Sequence, residues 1–225
     1  MKVLAIDTVT EMCSVALLVD NEVTMDAKLV KQSHTDVILP MIDQLLANSA
    51  VLFTDVDAIA FSRGPGSFTG LRIGAGVTQG LALAYDMPVI PVSSLAALAQ
   101  GAWRQDNQTQ VLTCIDARRQ EVYWACFQLQ QELMACIGQE KVSAAGQVRT
   151  PSAEAWFGVG SGFASYRDEL SRNQMVTLSA HVADRFPLAQ DILPFAVRAI
   201  NNKEYVDASA ALPVYLRDNV VNSSA

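Results

Sequence analysis

The sequence is short of basic residues, of histidine and of patterned cysteine, and each shortage removes a class of chemistry. Lys and Arg number 16 against 23 Asp and Glu, a formal net charge of -7. Direct binding to nucleic acid needs a basic field to neutralise phosphates, so it is not expected of this chain. Only a basic partner surface would bring it near RNA. His34 and His181 are the sole histidines, and neither H-x-x-x-H nor H-E-x-x-H occurs, so no metal site is expected. No spacing supports a Ser-His-Asp hydrolase. Cys13, Cys114, Cys126 and Cys136 include no C-x-x-C pair. The first three sit in or beside apolar strand patterns and read as buried hydrophobes in a reducing compartment. The apolar start, Val3–Ile6, is interrupted by Asp7 and is too short for a secretory signal. No apolar run reaches the ~20 residues of a membrane span. A cytoplasmic chain without membrane contact is the expectation.

What is present is a large core. Hydrophobic residues make up 51% of 225 positions and charged residues 17%, a balance that excludes disorder for most of the chain. The text Val3-Leu4-Ala5-Ile6-Asp7, followed seven residues later by Ser14–Val19, recurs as Val111–Asp116 followed by Tyr123–Phe127. Each copy predicts an antiparallel hairpin opening a lobe. The expected α/β architecture is the duplicated actin/Hsp70-type fold, with one lobe over residues 1–100 and a second over 101–210. An extended tail, 211–225, returns to the first lobe. Helices are expected at Thr35–Asn48, Phe68–Tyr85, Ser93 to about Gln105, near Ala153, at Ala164–Leu170 and at Asp191–Asn202. Pro40 is expected to kink the first of these or to mark a short first turn.

The run Ser62-Arg63-Gly64-Pro65-Gly66-Ser67-Phe68-Thr69-Gly70-Leu71-Arg72 links a strand, a glycine turn and a helix N-terminus. That order often cradles an anion. No Gly-Lys-Ser/Thr is present, so it is not a Walker A loop, and it is not G-x-S-x-G. Ser67 or Thr69 reads as a helix cap. The following helix has two rows of small residues: Gly70, Gly74, Thr78 and Ala82, and Gly76, Gly80 and Ala84. Glycine in an exposed helix interior costs ~0.8–1 kcal/mol relative to Ala. A close neighbour must offset that cost, either the chain's own sheet or a helix, its own or another chain's. The strand-Asp-turn element Asp7-Thr8-Val9-Thr10 fits either a capped turn or a nucleotide-phosphate contact.

The segments Val3–Thr10, Ser33-His34-Thr35 with Leu39-Pro40, Ser62–Gly74 and Leu212–Asp218 together resemble the TsaB (YeaZ) family, the bacterial paralogue of the TsaD glycoprotease-like proteins. The resemblance implies the actin/Hsp70-type fold. It also implies a part in making threonylcarbamoyladenosine at tRNA position 37, as the subunit on which the transferase TsaD docks and which the ATPase TsaE joins. The segment after Val89–Val92, Ser93–Leu98, lacks the metal-binding histidines of TsaD-like enzymes, and the later glycine motif is reduced to Gly158–Gly162. A scaffold without catalytic, metal or cofactor residues of its own is therefore the expectation, with room for a nucleotide at the partner interface.

The helices Thr35–Asn48 and Phe68–Tyr85 are expected to form the interface, through Val37, Ile38, Met41, Leu45, Gly70, Leu71, Gly74 and Thr78. The same surface is expected to close a homodimer when the partner is absent, and tRNA is contacted only indirectly. The alternative is a stand-alone actin-like ATP-dependent enzyme using Asp7, Thr8 and Thr10 on the phosphates.

Overall fold

Alternation along the strands decides the layering. In the computed structural model, which describes residues 1–30 and 33–217, strand β1 (Lys2–Asp7) sends Leu4 and Ile6 to one side and Val3 and Ala5 to the other, all fully buried. Both faces of the sheet are therefore covered. β1 pairs antiparallel with β2 (Met12–Val19), which pairs antiparallel with β3 (Glu22–Leu29). After helix α1 (His34–Asn48), β4 (Ala58–Gly64) pairs parallel with β1, and after α2 (Phe68–Tyr85), β5 (Val89–Ser93) pairs parallel with β4. The strand order is β3-β2-β1-β4-β5.

The second half repeats this. Past α3 (Ser94–Asp106), strands β6 (Gln110–Arg118), β7 (Glu121–Gln130) and β8 (Leu133–Ala144) form a meander. β9 (Trp156–Val159) then joins β6 in parallel, and β10 (Leu178–Val182) joins β9. Read from β8, the order is β8-β7-β6-β9-β10, position for position that of the first sheet. This duplicated order is the actin/Hsp70-type topology. Between β9 and β10 lie two short helices, α4 (Gly162–Ser165) and α5 (Arg167–Arg172), and α6 (Ala189–Asn202) follows β10.

Three cores follow from the faces. Leu4, Ile6, Leu17, Ile59 and Phe61 meet Ile38, Met41 and Ile42 of α1 and Ala75 and Ala82 of α2. The opposite face, with Val3, Ala5 and Ala58, packs on Leu95 and Leu98 of α3 and Ile192 and Leu193 of α6. Those two helices also bury Val111, Ile115 and Phe127 of the second sheet. The outer face of the second sheet covers Leu112, Cys114, Trp124 and Trp156 with Phe163 and Leu170. α3 and α6 thus form a shared layer between the sheets, joined by Arg104, which grips the buried Asp191 carboxylate in two bonds of 2.6 and 3.1 Å.

Several local expectations need correction. α1 continues as one helix through Pro40, which therefore does not mark a short first turn; its ring is on the exposed side, where water can take the freed carbonyl. No helix forms near Ala153; residues 151–154 are bends leading into β9, with the Thr150 hydroxyl donating to the Ser152 carbonyl. The helix expected at Ala164–Leu170 is broken at Tyr166, whose φ of -131° is not helical. The end of the Leu212–Asp218 motif, Asp218, and the tail beyond it lie outside the described residues.

Candidate functional site

The glycine loop is filled from within. Ser67 does cap α2, its Oγ accepting the Gly70 amide at 3.4 Å, but the Ser67 amide donates to the Val9 carbonyl at 2.7 Å. A Cβ on Gly66 would stand 2.5 Å from that carbonyl, and one on Gly74 would stand 2.6 Å from Thr8 Oγ1. A Cβ on Gly70 would overlap the Thr8 carbonyl outright. Thr8 Oγ1 in turn donates to the Gly70 carbonyl at 2.7 Å. The glycines therefore admit the Thr8-Val9 backbone, the close approach that only a residue without Cβ allows. The anion that this kind of loop can hold is replaced by the chain's own turn.

Asp7 is sealed behind that contact. Its side chain is fully buried, Oδ1 accepts the Val9 amide at 3.1 Å, and Oδ2 has no partner. Burial pushes its carboxyl up to about 7 from 3.8, against the weaker opposing pulls of the nearby Ser62 hydroxyl and the Val9 amide. Its counterpart in the second repeat, Asp116, faces the space between the lobes. It accepts bonds from the Arg118 amide (2.7 Å), the Arg118 guanidinium (3.0 Å), Ser165 (3.1 Å) and Tyr166 (3.1 Å).

Between the lobes lies a cleft of about 720 Å³. The first lobe contributes Thr10, Glu11, His34 and Phe68, the second Asp116, Arg118 and Tyr123, and the tail Tyr215 and Arg217. His34 Nε2 is 2.8 Å from the Thr10 carbonyl at its edge. The fold family implies a metal-bound nucleotide here, and the residues do not fit one. Asp7 and Thr8 are not in the lining, and the Thr8 hydroxyl is spent on Gly70. Among the described residues no lysine lines the cleft. Both of its arginines already face carboxylates: Arg118 faces Asp116 and Glu11, and Arg217 faces Glu121. Among the described residues no group of three His, Cys, Asp or Glu could hold a metal.

The residues expected at an interface are mostly interior. Ile38, Met41, Leu45, Gly70, Leu71, Gly74 and Thr78 are buried in the chain's own fold, and Val37 is half-buried. The apolar side chains Ile38, Met41, Ile42, Leu45 and Leu46 form one buried stripe on α1. It is used up covering the first sheet, chiefly β2, where its buried side chains join those of α2 and of Ala211 in one core. The outward face of α2 belongs to the second small row: Gly76, Gly80 and Ala84 are exposed, beside Arg72 and Leu83, the latter 78% exposed. Nothing lies within 4 Å of a Cβ built on Gly76 or Gly80. Sequence spacing showed both rows, but without the position of the sheet it did not distinguish inside from outside. His181 stacks on Phe163 with ring centroids 5.4 Å apart, and Trp124 and Trp156 are buried, so these are packing residues. Cys13, Cys114 and Cys126 are buried free thiols and Cys136 is exposed. Among the described residues no helix is long and apolar enough to cross a membrane.

The fold and the filled loop can now be set beside known proteins. The family model described as TsaD, tRNA N6-adenosine threonylcarbamoyltransferase, matches residues 21–224. The tRNA threonylcarbamoyladenosine biosynthesis protein TsaB of Escherichia coli (strain K12) is 43% identical over 227 residues, covering 98% of this chain and 96% of that protein. The TsaB of Haemophilus influenzae is 40% identical over 230 residues, covering 96% and 94%. The crystal structure of YeaZ from Pseudomonas aeruginosa superposes with a TM-score of 0.90 at 44% identity, covering 96% of this chain and 99% of that one. Within the wider family of the TsaD model, the chain belongs to the TsaB (YeaZ) family.

Proposed function

We propose that this protein is a non-catalytic scaffold and activator in the formation of threonylcarbamoyladenosine at tRNA position 37, docking a TsaD-like transferase that a TsaE-like ATPase joins. The observation that carries the reading is the filled glycine loop: Thr8 and Val9 occupy the place of an anion, and Asp7 is sealed away from the cleft. A fold retained without the means to hold metal-bound phosphate fits a subunit that supports another's chemistry. Relatives at 43% and 40% identity are tRNA threonylcarbamoyladenosine biosynthesis proteins, which supports this reading.

The docking surface in this reading is the outward face of α2, with Gly76, Gly80, Leu83 and Ala84, beside the exposed Leu39 of α1. Bare glycines at helical spacing let another helix come close, and Leu83 supplies apolar area. A second copy presenting the same face closes a two-fold homodimer when the transferase is absent. With a net charge of -7 the chain meets tRNA only through its partners. The cytoplasm, where tRNA is modified, is its compartment. Calorimetry of the purified chain with ATP and magnesium, run beside a reconstituted tRNA-modification assay, tests this. The expectation is no turnover by the chain alone and a stimulated rate when it joins a TsaD-like transferase. Turnover by the chain alone would make it the stand-alone ATP-dependent enzyme instead.

A further inference from the structure

The segment Ala211–Arg217 has no regular secondary structure, yet side-chain and backbone contacts anchor it at both ends. On the first lobe, Gln79 of α2 donates to the Ala211 carbonyl at 3.2 Å, and the Val214 amide donates to the Arg63 carbonyl at 2.8 Å. The Val214 carbonyl lies against Gly64, 3.1 Å from where a Cβ would stand. Arg72 Nε donates to the Tyr215 hydroxyl at 3.3 Å, and the Tyr215 ring sits 5.8 Å from that of Phe68, over which the Arg72 guanidinium also lies. Two residues on, the chain is on the other lobe. Arg217 donates to the Ala117 carbonyl at 3.0 Å and to the Glu121 carboxylate, with the Arg118 carbonyl at 3.5 Å. Val214, Tyr215, Leu216 and Arg217 all line the cleft between these anchors.

We propose that residues 211–217 are a strap that holds the two lobes at a fixed opening across the cleft. The turn that Arg217 grips is a tight one. Arg118, Arg119 and Gln120 all have positive φ, of 62°, 56° and 62°. None is Gly or Asn, and left-handed backbone is unfavourable for such residues. Such a run persists only where its surroundings hold it, and Arg217 binds the Ala117 carbonyl just before it and reaches the Arg118 carbonyl within it. Also on this side of the cleft, the Arg118–Glu11 pair at 3.6 Å joins the lobes, both partners exposed and so weakly coupled. On the far side α3 and α6 are shared by both sheets and act as the hinge that the strap works against.

The test uses the full chain with Cys136→Ser and spin labels at positions 48 and 139, both exposed and on opposite lobes. Interlobe distances are read by electron–electron resonance, and amide exchange is read by mass spectrometry. Arg217→Ala is expected to broaden the distance distribution. It is also expected to speed exchange in residues 115–123 and 211–217 about tenfold, leaving α3 and α6 unchanged; Arg217→Lys restores part of the effect. An unchanged distribution and exchange pattern would overturn the strap, and so would uniform acceleration that includes α3 and α6. Should Arg217→Ala fail to fold, Glu121→Gln loosens the same end and is read by the same two outcomes.

Discussion

A Cβ on Gly74 would stand 2.6 Å from Thr8 Oγ1, whereas one on Gly76, two residues along the same helix, would meet nothing within 4 Å. Opposite consequences follow for the same substitution. Gly74→Ala, which sets a methyl against Thr8 Oγ1, should cost about 2–3 kcal/mol because that buried hydroxyl is held by its bond to the Gly70 carbonyl and has little room to yield. Gly76→Ala should gain about 0.8 kcal/mol from helix propensity alone. Denaturant melts of the two variants check both signs.

The buried Asp7 carboxyl makes stability depend on pH in a definite direction. Its pKa is pushed up to about 7 from 3.8, so the native state holds this proton where the unfolded chain has released it. Between about pH 4 and 7 the native state binds more protons, and stability falls as pH rises. The loss approaches roughly 4 kcal/mol above pH 7. Asp7→Asn should remove this slope and be more stable than the parent at pH 8. Melts of both proteins from pH 5 to 8 check it; parallel curves would contradict it.

Arg104 is half-exposed while its partner Asp191 is only 2% exposed. Removing the arginine leaves a buried carboxylate alone, which costs about 3 kcal/mol. Burial already raises the Asp191 pKa more than Arg104 lowers it. Without Arg104 the rise is larger, and the native state takes up the proton. Arg104→Ala should therefore lose more stability at pH 8 than at pH 4.5. An equal loss at both would show that the pair contributes packing and not charge.

Much of this fold was legible in the sequence for local reasons. The repeat gave both hairpins because two buried faces demand continuous apolar strands. Helix α2 spans Phe68–Tyr85 as its small-residue spacing and Ser67 suggested, and Ser93 caps α3 through the Leu95 and Ala96 amides. The strand β8 went unread because its outer half is polar and exposed, as edge strands are. The site was less legible for tertiary reasons. An amphipathic stripe on α1 shows that one face is covered but not by what, and the answer was the chain's own sheet. The residues that fill the glycine loop, Thr8 and Val9, lie 60 positions from it, and no local pattern reports that contact. The grip of Arg217 on the β6–β7 turn, about 100 positions away, is of the same kind.

The central claim is that the outward face of α2 docks the transferase. Gly80→Arg places a long charged side chain there, where a Cβ meets nothing within 4 Å, so the fold should tolerate it. Sedimentation of the variant, alone and mixed with a TsaD-like transferase, reads the claim out. The account predicts a folded monomer that no longer associates with the transferase, its affinity reduced at least a hundredfold. Undiminished complex formation by a folded Gly80→Arg protein would contradict it.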